Sequence, residues 1–262
     1  MSIREPAVAG MFYPAQAEQL QRSIHEMLAE ASAGKAESPP PKMIIVPHAG
    51  YIYSGPIAAS AYQRLKPFAD IYQRIILLGP SHRFAFQGLA LSASDAFRTP
   101  LGVIPIDQKA VELISTCAGV ITTDQAHRYE HSLEVQLPFL QLTLNQFTLV
   151  PIVVGLASAD QVASVINTLW GGAETLFVIS SDLSHYHDYM TAKQLDSETT
   201  HKILKLDHNL NGEQACGCFP LNGALLCAEQ HHLTATSVDL RNSGDTAGST
   251  DAVVGYGAYV LH

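Results

Sequence analysis

MIIVPHAGY at residues 43–51 and RIILLGPSH at residues 74–82 decide the fold. Each begins with a short run of branched apolar residues, is stopped by Pro47 or by Gly79-Pro80, and delivers a histidine just past the stop. Continuous apolar runs of this length, bounded by loop residues, read as strands buried on both faces. Thr148–Val154 and Thr175–Ser180 repeat the pattern, and the second leads into Ser181-Asp182-Leu183-Ser184-His185. Residues 251–260 alternate small, aromatic and branched side chains and read as a final strand, with glycines that mark a bulge or a close backbone approach.

Helices are predicted between these runs, over 15–31, 54–65, 108–117, 131–142, 159–169, 189–205 and 222–231. Strands alternating with helices predict an α/β fold in three layers, α/β/α, with a central mostly parallel or mixed sheet covered on both faces. In such sheets ligands bind beyond the carboxyl ends of the strands. The strand-end segments carrying His48, His82 and Asp182 should therefore converge on one crevice, however far apart they lie in sequence.

The chain has 262 residues, 47% of them hydrophobic, enough to bury about three quarters of its unfolded surface. No linker or charge block divides it, so one domain spanning 1–262 is predicted. The only biased stretch, residues 31–42, gathers Ala, Ser, Gly and three prolines and suits an exposed loop. A formal charge of -9 would repel a phosphate backbone, which argues against nucleic acid as a partner. The first residues lack a secretory pattern, and no apolar run approaches the roughly 20 residues of a membrane helix. A cytoplasmic protein with no membrane contact is expected, and its four cysteines should then be thiols used for packing or for metal.

Taken alone, His48 could be a loop histidine bonded to backbone. The same arrangement at His82 brings two imidazoles to one sheet edge, and neutral imidazole is the commonest protein ligand for iron, zinc and copper. A third donor could come from Asp182, from His185, or from a thiolate in Cys216-Gly217-Cys218. The two cysteines, one residue apart, would point to opposite faces of an extended backbone, so one of them should serve packing. His131 stands near the start of a predicted helix, where the dipole disfavours its protonated form. It reads equally as a capping or surface residue and as a group supporting a metal site. Asp182 and His185 could pair as an oriented general acid/base, or Ser181 and Asp182 could cap a helix. His127 is a distant candidate, and His208, His231, His232 and His262 read as solvated. No phosphate-binding loop, nucleophile elbow or HExxH is present.

PHAGYIYSG at 47–55, LGPSH at 78–82, EHSLEVQLPF at 130–139 and SSDLSH at 180–185, with AGMFYP at 9–14, RTPLG at 98–102 and PIVVG at 151–155, together resemble the Memo-like family. In prokaryotes that family is the B protein of the so-called AmmeMemoRadiSam system. The resemblance implies a fold similar to the class III extradiol, LigB-like dioxygenases, which bind non-haem Fe(II) in a crevice at the sheet edge. Carried over by position, it implies His48, His82 and Cys216 as metal ligands. His185 and His131 are then implied as pocket histidines acting on substrate, with Asp182 placed to orient one of them. A thiolate where the dioxygenases have a carboxylate makes a softer site, so Fe(II) is the first expectation and copper or zinc the alternatives. Two functions follow: a dioxygenase-like oxidoreductase acting on a small molecule, or a non-catalytic scaffold that recognises a peptide or works with AMMECR-type and radical-SAM partner proteins.

Overall fold

The computed structural model describes residues 1–31 and 39–262. The loop expected over 31–42 therefore lies mostly outside the described residues. In chain order the first elements are β1 (Ile3–Arg4), α1 (Ala17–Glu30), β2 (Met43–Val46), α2 (Tyr51–Leu65), β3 (Arg74–Pro80), β4 (Leu89–Leu91), β5 (Ala96–Thr99) and β6 (Gly102–Pro105). There follow α3 (Gln108–Ile114), β7 (Val120–Thr122), α4 (Asp124–Arg128), α5 (Leu137–Thr143), β8 (Thr148–Val154), α6 (Ala159–Thr168) and β9 (Thr175–Ser180). The last are β10 (His185–His187), α7 (Tyr189–Leu204), α8 (Cys218–Gln230), β11 (Ala235–Asn242) and β12 (Val253–Leu261).

The main sheet runs β10-β12-β2-β9-β3-β8-β4-β7, with β11 also paired to β12. Strands β2, β9, β3 and β8 are mutually parallel, whereas β12 runs antiparallel to β2 and β4 antiparallel to β8. A second, three-stranded sheet holds β1, β5 and β6. This is the α/β architecture with a mixed sheet that the alternating pattern predicts.

Residue parity shows why the central strands are uniformly apolar. Ile44 and Val46, Ile75 and Leu77, Leu176 and Val178 belong to one core, packed with α1, α2 and α5. Their neighbours Met43 and Ile45, Ile76 and Leu78, Phe177 and Ile179 belong to a second core, packed with α3, α6, α7 and α8. Successive side chains of a strand point to opposite faces, so a strand covered on both sides has no position left for a polar residue.

Helix boundaries depart most from expectation at the starts of α5 and α8. The helix predicted from His131 opens only with a 3-10 turn at Glu134–Gln136 and becomes α5 at Leu137, with Pro138 in its first turn. The Glu130 carboxylate takes the backbone N–H groups of His131 and Ser132, at 2.9 Å each, and holds them outside the helix. At the other boundary α8 begins at Cys218, four residues before its predicted start. The short strands β4, β5, β6, β7 and β10 and the one-turn helix α4 are elements that the apolar pattern does not announce.

Candidate metal centre

Strands β2, β9 and β3 are neighbours, and they end at Val46, Ser180 and Pro80. Their adjacent carboxyl ends present His48, Asp182 and His82. His131 reaches the same point from the loop before α5. One ligand atom from each of His48, His82 and His131 lies within 4.8 Å of the others. The rings are packed edge-on or stacked, with centroids 5.2 Å apart for His48–His82, 5.5 Å for His48–His131 and 4.7 Å for His82–His131.

Cys216 approaches His48 from the turn before α8, its Sγ 3.3 Å from His48 Nε2, but it stands outside the trio of mutually close ligand atoms. Gly217 makes this approach feasible. A Cβ there would sit 2.7 Å from Ser181 Cβ and 2.8 Å from the Ser180 carbonyl oxygen, so only glycine lets α8 start against the end of β9. Cys218 lies in the second core, so the two cysteines do separate into a cavity-facing and a packed residue. The separation comes from a turn entering a helix, not from an extended strand.

Hydrogen bonds fix the outer sides of the His48 and His82 rings. His48 Nδ1 is 2.9 Å from Ser180 Oγ, and His82 Nδ1 is 2.9 Å from Glu130 Oε1. Glu130 is buried and also accepts the backbone N–H of His82 at 2.6 Å. Burial alone would raise its pKa, but the His82 ring and these N–H donors outweigh it and hold the carboxyl at about 2. Asp182 Oδ1 accepts the backbone N–H of His48 at 2.7 Å, tying the β2 end to the β9 end. No helix follows Ser181 and Asp182, so the capping reading of that pair is set aside, and Asp188 caps α7 instead.

Burial, and then the nearness of His82, pushes the His48 pKa well below its ordinary value. Burial followed by His48 takes His131 to about 4. His131 is thus neutral as expected, but through desolvation and like-charge proximity and not through a helix dipole, since it precedes the helix. Burial raises Asp182, and burial together with the Asp182 charge raises the Cys216 thiol.

These groups line a cavity of about 990 Å³ whose walls add Phe12, Tyr53, Arg83, His185, Tyr186 and Tyr256. His185 and His187 flank Tyr186, whose φ of +62° is an uncommon conformation for an aromatic residue and accompanies a bulge in the β10–β12 pairing. A slightly larger groove, about 1070 Å³, crosses β6 and α5 but contains no histidine or cysteine, so its size carries no chemistry. His127 lies far from this role: it is buried, bonded through Nε2 to the Ala90 carbonyl and packed edge-on against Phe97.

The three imidazoles lie close enough to share one metal ion, and the Cys216 thiol fits beside His48. Nitrogen and sulfur bound to one tetrahedral ion at about 2.0 and 2.3 Å lie about 3.5 Å apart, close to the His48–Cys216 separation of 3.3 Å. His131 Nδ1 is buried without a well-directed hydrogen bond, 3.3 Å from Glu130 Oε1. Sequence reasoning passed over the groups behind the rings, Glu130 and Ser180. A carboxylate placed directly before His131, in a segment otherwise apolar enough to be buried, was the available signal for the first.

A parallel-stranded α/β chain with histidines gathered at its strand ends is the class that fold and site define, and the chain belongs to the Memo-like protein family, whose profile it matches over residues 4–260. It is similar to a MEMO1 family protein of Methanosarcina acetivorans, 38% identical with 100% of both chains covered. MEMO1 family proteins of Aquifex aeolicus, 36% identical over 98% of each chain, and of Sulfurisphaera tokodaii, 35% identical over 97% of each, are similar too. Among the described residues no helix is long and apolar enough to cross a membrane.

Proposed function

We propose that this protein binds a single metal ion among His48, His82 and Cys216 and uses it in oxidative chemistry on a small substrate. Fe(II) is the first candidate, copper and zinc the alternatives. The observation that supports this reading is the convergence of imidazoles from three separate segments, with a thiol 3.3 Å from one of them. Bound Fe(II) would supply a Lewis-acidic, redox-active centre in a cavity large enough for a substrate. His131 and His185 line that cavity as imidazoles suited to holding or moving a substrate proton. Asp182 keeps the His48 loop in place from the neighbouring strand. Phe12, Tyr53 and Tyr256 supply aromatic walls.

Metal analysis and anaerobic Fe(II) titration test the donor set. Cys216→Ser should lower affinity more than His131→Ala; the reverse order would make His131 the third ligand, as the compact histidine trio allows. Oxygen uptake by iron-loaded protein with catechol-like and thiol substrates, abolished by His185→Ala, tests the oxidase reading.

A second reading, a scaffold that uses the same cavity to recognise a peptide or an AMMECR-type or radical-SAM partner, is favoured by the apolar surface around the cavity. Met11, Ile52 and Tyr186 are 72%, 67% and 79% exposed. Each lies on, or next to a residue of, the cavity wall. Purified partner proteins that bind wild type but not a Met11→Ser/Ile52→Ser/Tyr186→Ser variant, with no oxygen uptake by the isolated protein, would support it over the first.

A further inference from the structure

The hydrogen bonds behind His48 and His82 run in one direction, and that direction fixes where each ring carries its proton. Gln136 is buried with its amide nitrogen 2.8 Å from the Pro47 carbonyl. A carbonyl can only accept, so the amide orientation is settled, and its oxygen accepts the Tyr62 hydroxyl at 2.9 Å. The same amide nitrogen donates to Ser180 Oγ at 2.8 Å. Ser180 has one proton, which goes to the Ser132 carbonyl at 2.6 Å. What remains on Ser180 Oγ is a lone pair, facing His48 Nδ1 at 2.9 Å. His48 must then hold its proton on Nδ1, leaving Nε2 bare.

His82 reaches the same state by other means. Three backbone N–H groups, of His82, His131 and Ser132, point at the Glu130 carboxyl. A group receiving three fixed donors behaves as an acceptor, so His82 Nδ1, 2.9 Å from Oε1, carries the proton. Its Nε2 is bare as well.

We infer that Ser180 and Glu130 are positioning residues that lock both rings with Nε2 lone pairs turned to the cavity before any ion arrives. The two rings differ in what backs them: a neutral hydroxyl behind His48, a carboxylate behind His82. A carboxylate partner raises ligand basicity, so His82 is the stronger donor of the pair. This arrangement serves the metal site proposed above and rests on that reading for its use, though not for its existence.

Long-range 1H–15N correlation spectra of metal-free, 15N-histidine protein read the ring tautomers directly. Wild type should show His48 and His82 protonated at Nδ1. Ser180→Ala should move the His48 proton to Nε2, where it can meet Cys216 Sγ, and leave His82 unchanged; Glu130→Gln should disturb His82 and spare His48. Each variant should bind Fe(II) roughly 10- to 100-fold more weakly. A wild-type proton on Nε2 of either ring, or a Ser180→Ala spectrum identical to wild type at His48, overturns the assignment. Protein with both tautomers as stated that takes up neither Fe(II) nor Zn²⁺ supports the assignment and sinks the metal reading instead. Because the wild-type spectrum needs no substitution, a variant that fails to fold does not block the test.

Discussion

If the proposed metal centre forms, Cys216 is the ligand whose protonation changes most. Burial and the Asp182 charge keep it a thiol, with its Sγ 3.3 Å from the Nε2 of His48 and 3.8 Å from the Asp182 carbonyl. A metal takes the thiolate, so binding must release that proton. Calorimetric titrations in buffers of different ionisation enthalpy should show about one proton released per ion, and affinity should rise about tenfold per pH unit across the neutral range. Cys216→Ser should abolish the release. The thiol's place in the cavity could be anticipated from sequence only through the likeness to a family, because spacing cannot tell Cys216 from Cys218. What separates them is the turn at Gly217, which depends on the closeness of β9 and is invisible along the chain. Gly217→Ala should weaken metal binding, by pushing the start of α8 off Ser181, more than it lowers thermal stability; equal losses in both would show that the glycine serves packing alone.

At the scale of elements, the segment before α1 is fastened to the loop before α5 through one carboxylate. Glu134 pairs with Arg4, accepts the N–H groups of Ala7 and Val8 at 2.8 and 2.9 Å, and takes the Tyr13 hydroxyl at 2.6 Å. That clamp sets Phe12 against His131, ring centroids 4.6 Å apart, so the chain start forms part of the cavity wall. Both ions are buried. Removing one partner should therefore leave the other uncompensated: Glu134→Ala should cost about 3–5 kcal/mol in urea unfolding, and Arg4→Met/Glu134→Leu should recover part of it. The central strands were legible because a strand buried on both faces has a single composition, and Thr148–Val154 and Thr175–Ser180 fall where the apolar runs put them. β4 and β7 are three residues each and exist through pairing with partners, and β10 contains a left-handed Tyr186, so no local pattern marks them.

For the whole molecule, buried titratable groups set the response to acid. His127 has its pKa lowered to about 4, by burial first, and His131 likewise to about 4. Unfolded, both would titrate near 6.5. Between those values the unfolded chain binds protons that the native protein refuses, so stability is lost as pH falls from about 6.5 toward 4. Each histidine contributes a slope of up to about 1.4 kcal/mol per pH unit. Glu130, held at about 2, acts in the same sense over a lower window, its contribution present above its ordinary carboxylate range and lost as pH falls toward 2. Urea midpoints of metal-free protein should be nearly constant from pH 7 to 8 with respect to these groups and fall steadily below 6.5. His127→Gln should flatten the upper part of that fall.

β9 comes last of the four parallel strands, yet it lies between β2 and β3. During synthesis the histidine-bearing strands emerge first and wait for a later segment to slot between them; only then are His48 and His82 held at the separation a shared ion needs. A nascent chain stalled before residue 175 would carry both imidazoles without the spacer that aligns them. On the metal reading proposed above, ion uptake would wait for completion of the sheet, and a half-made chain would lack the assembled site.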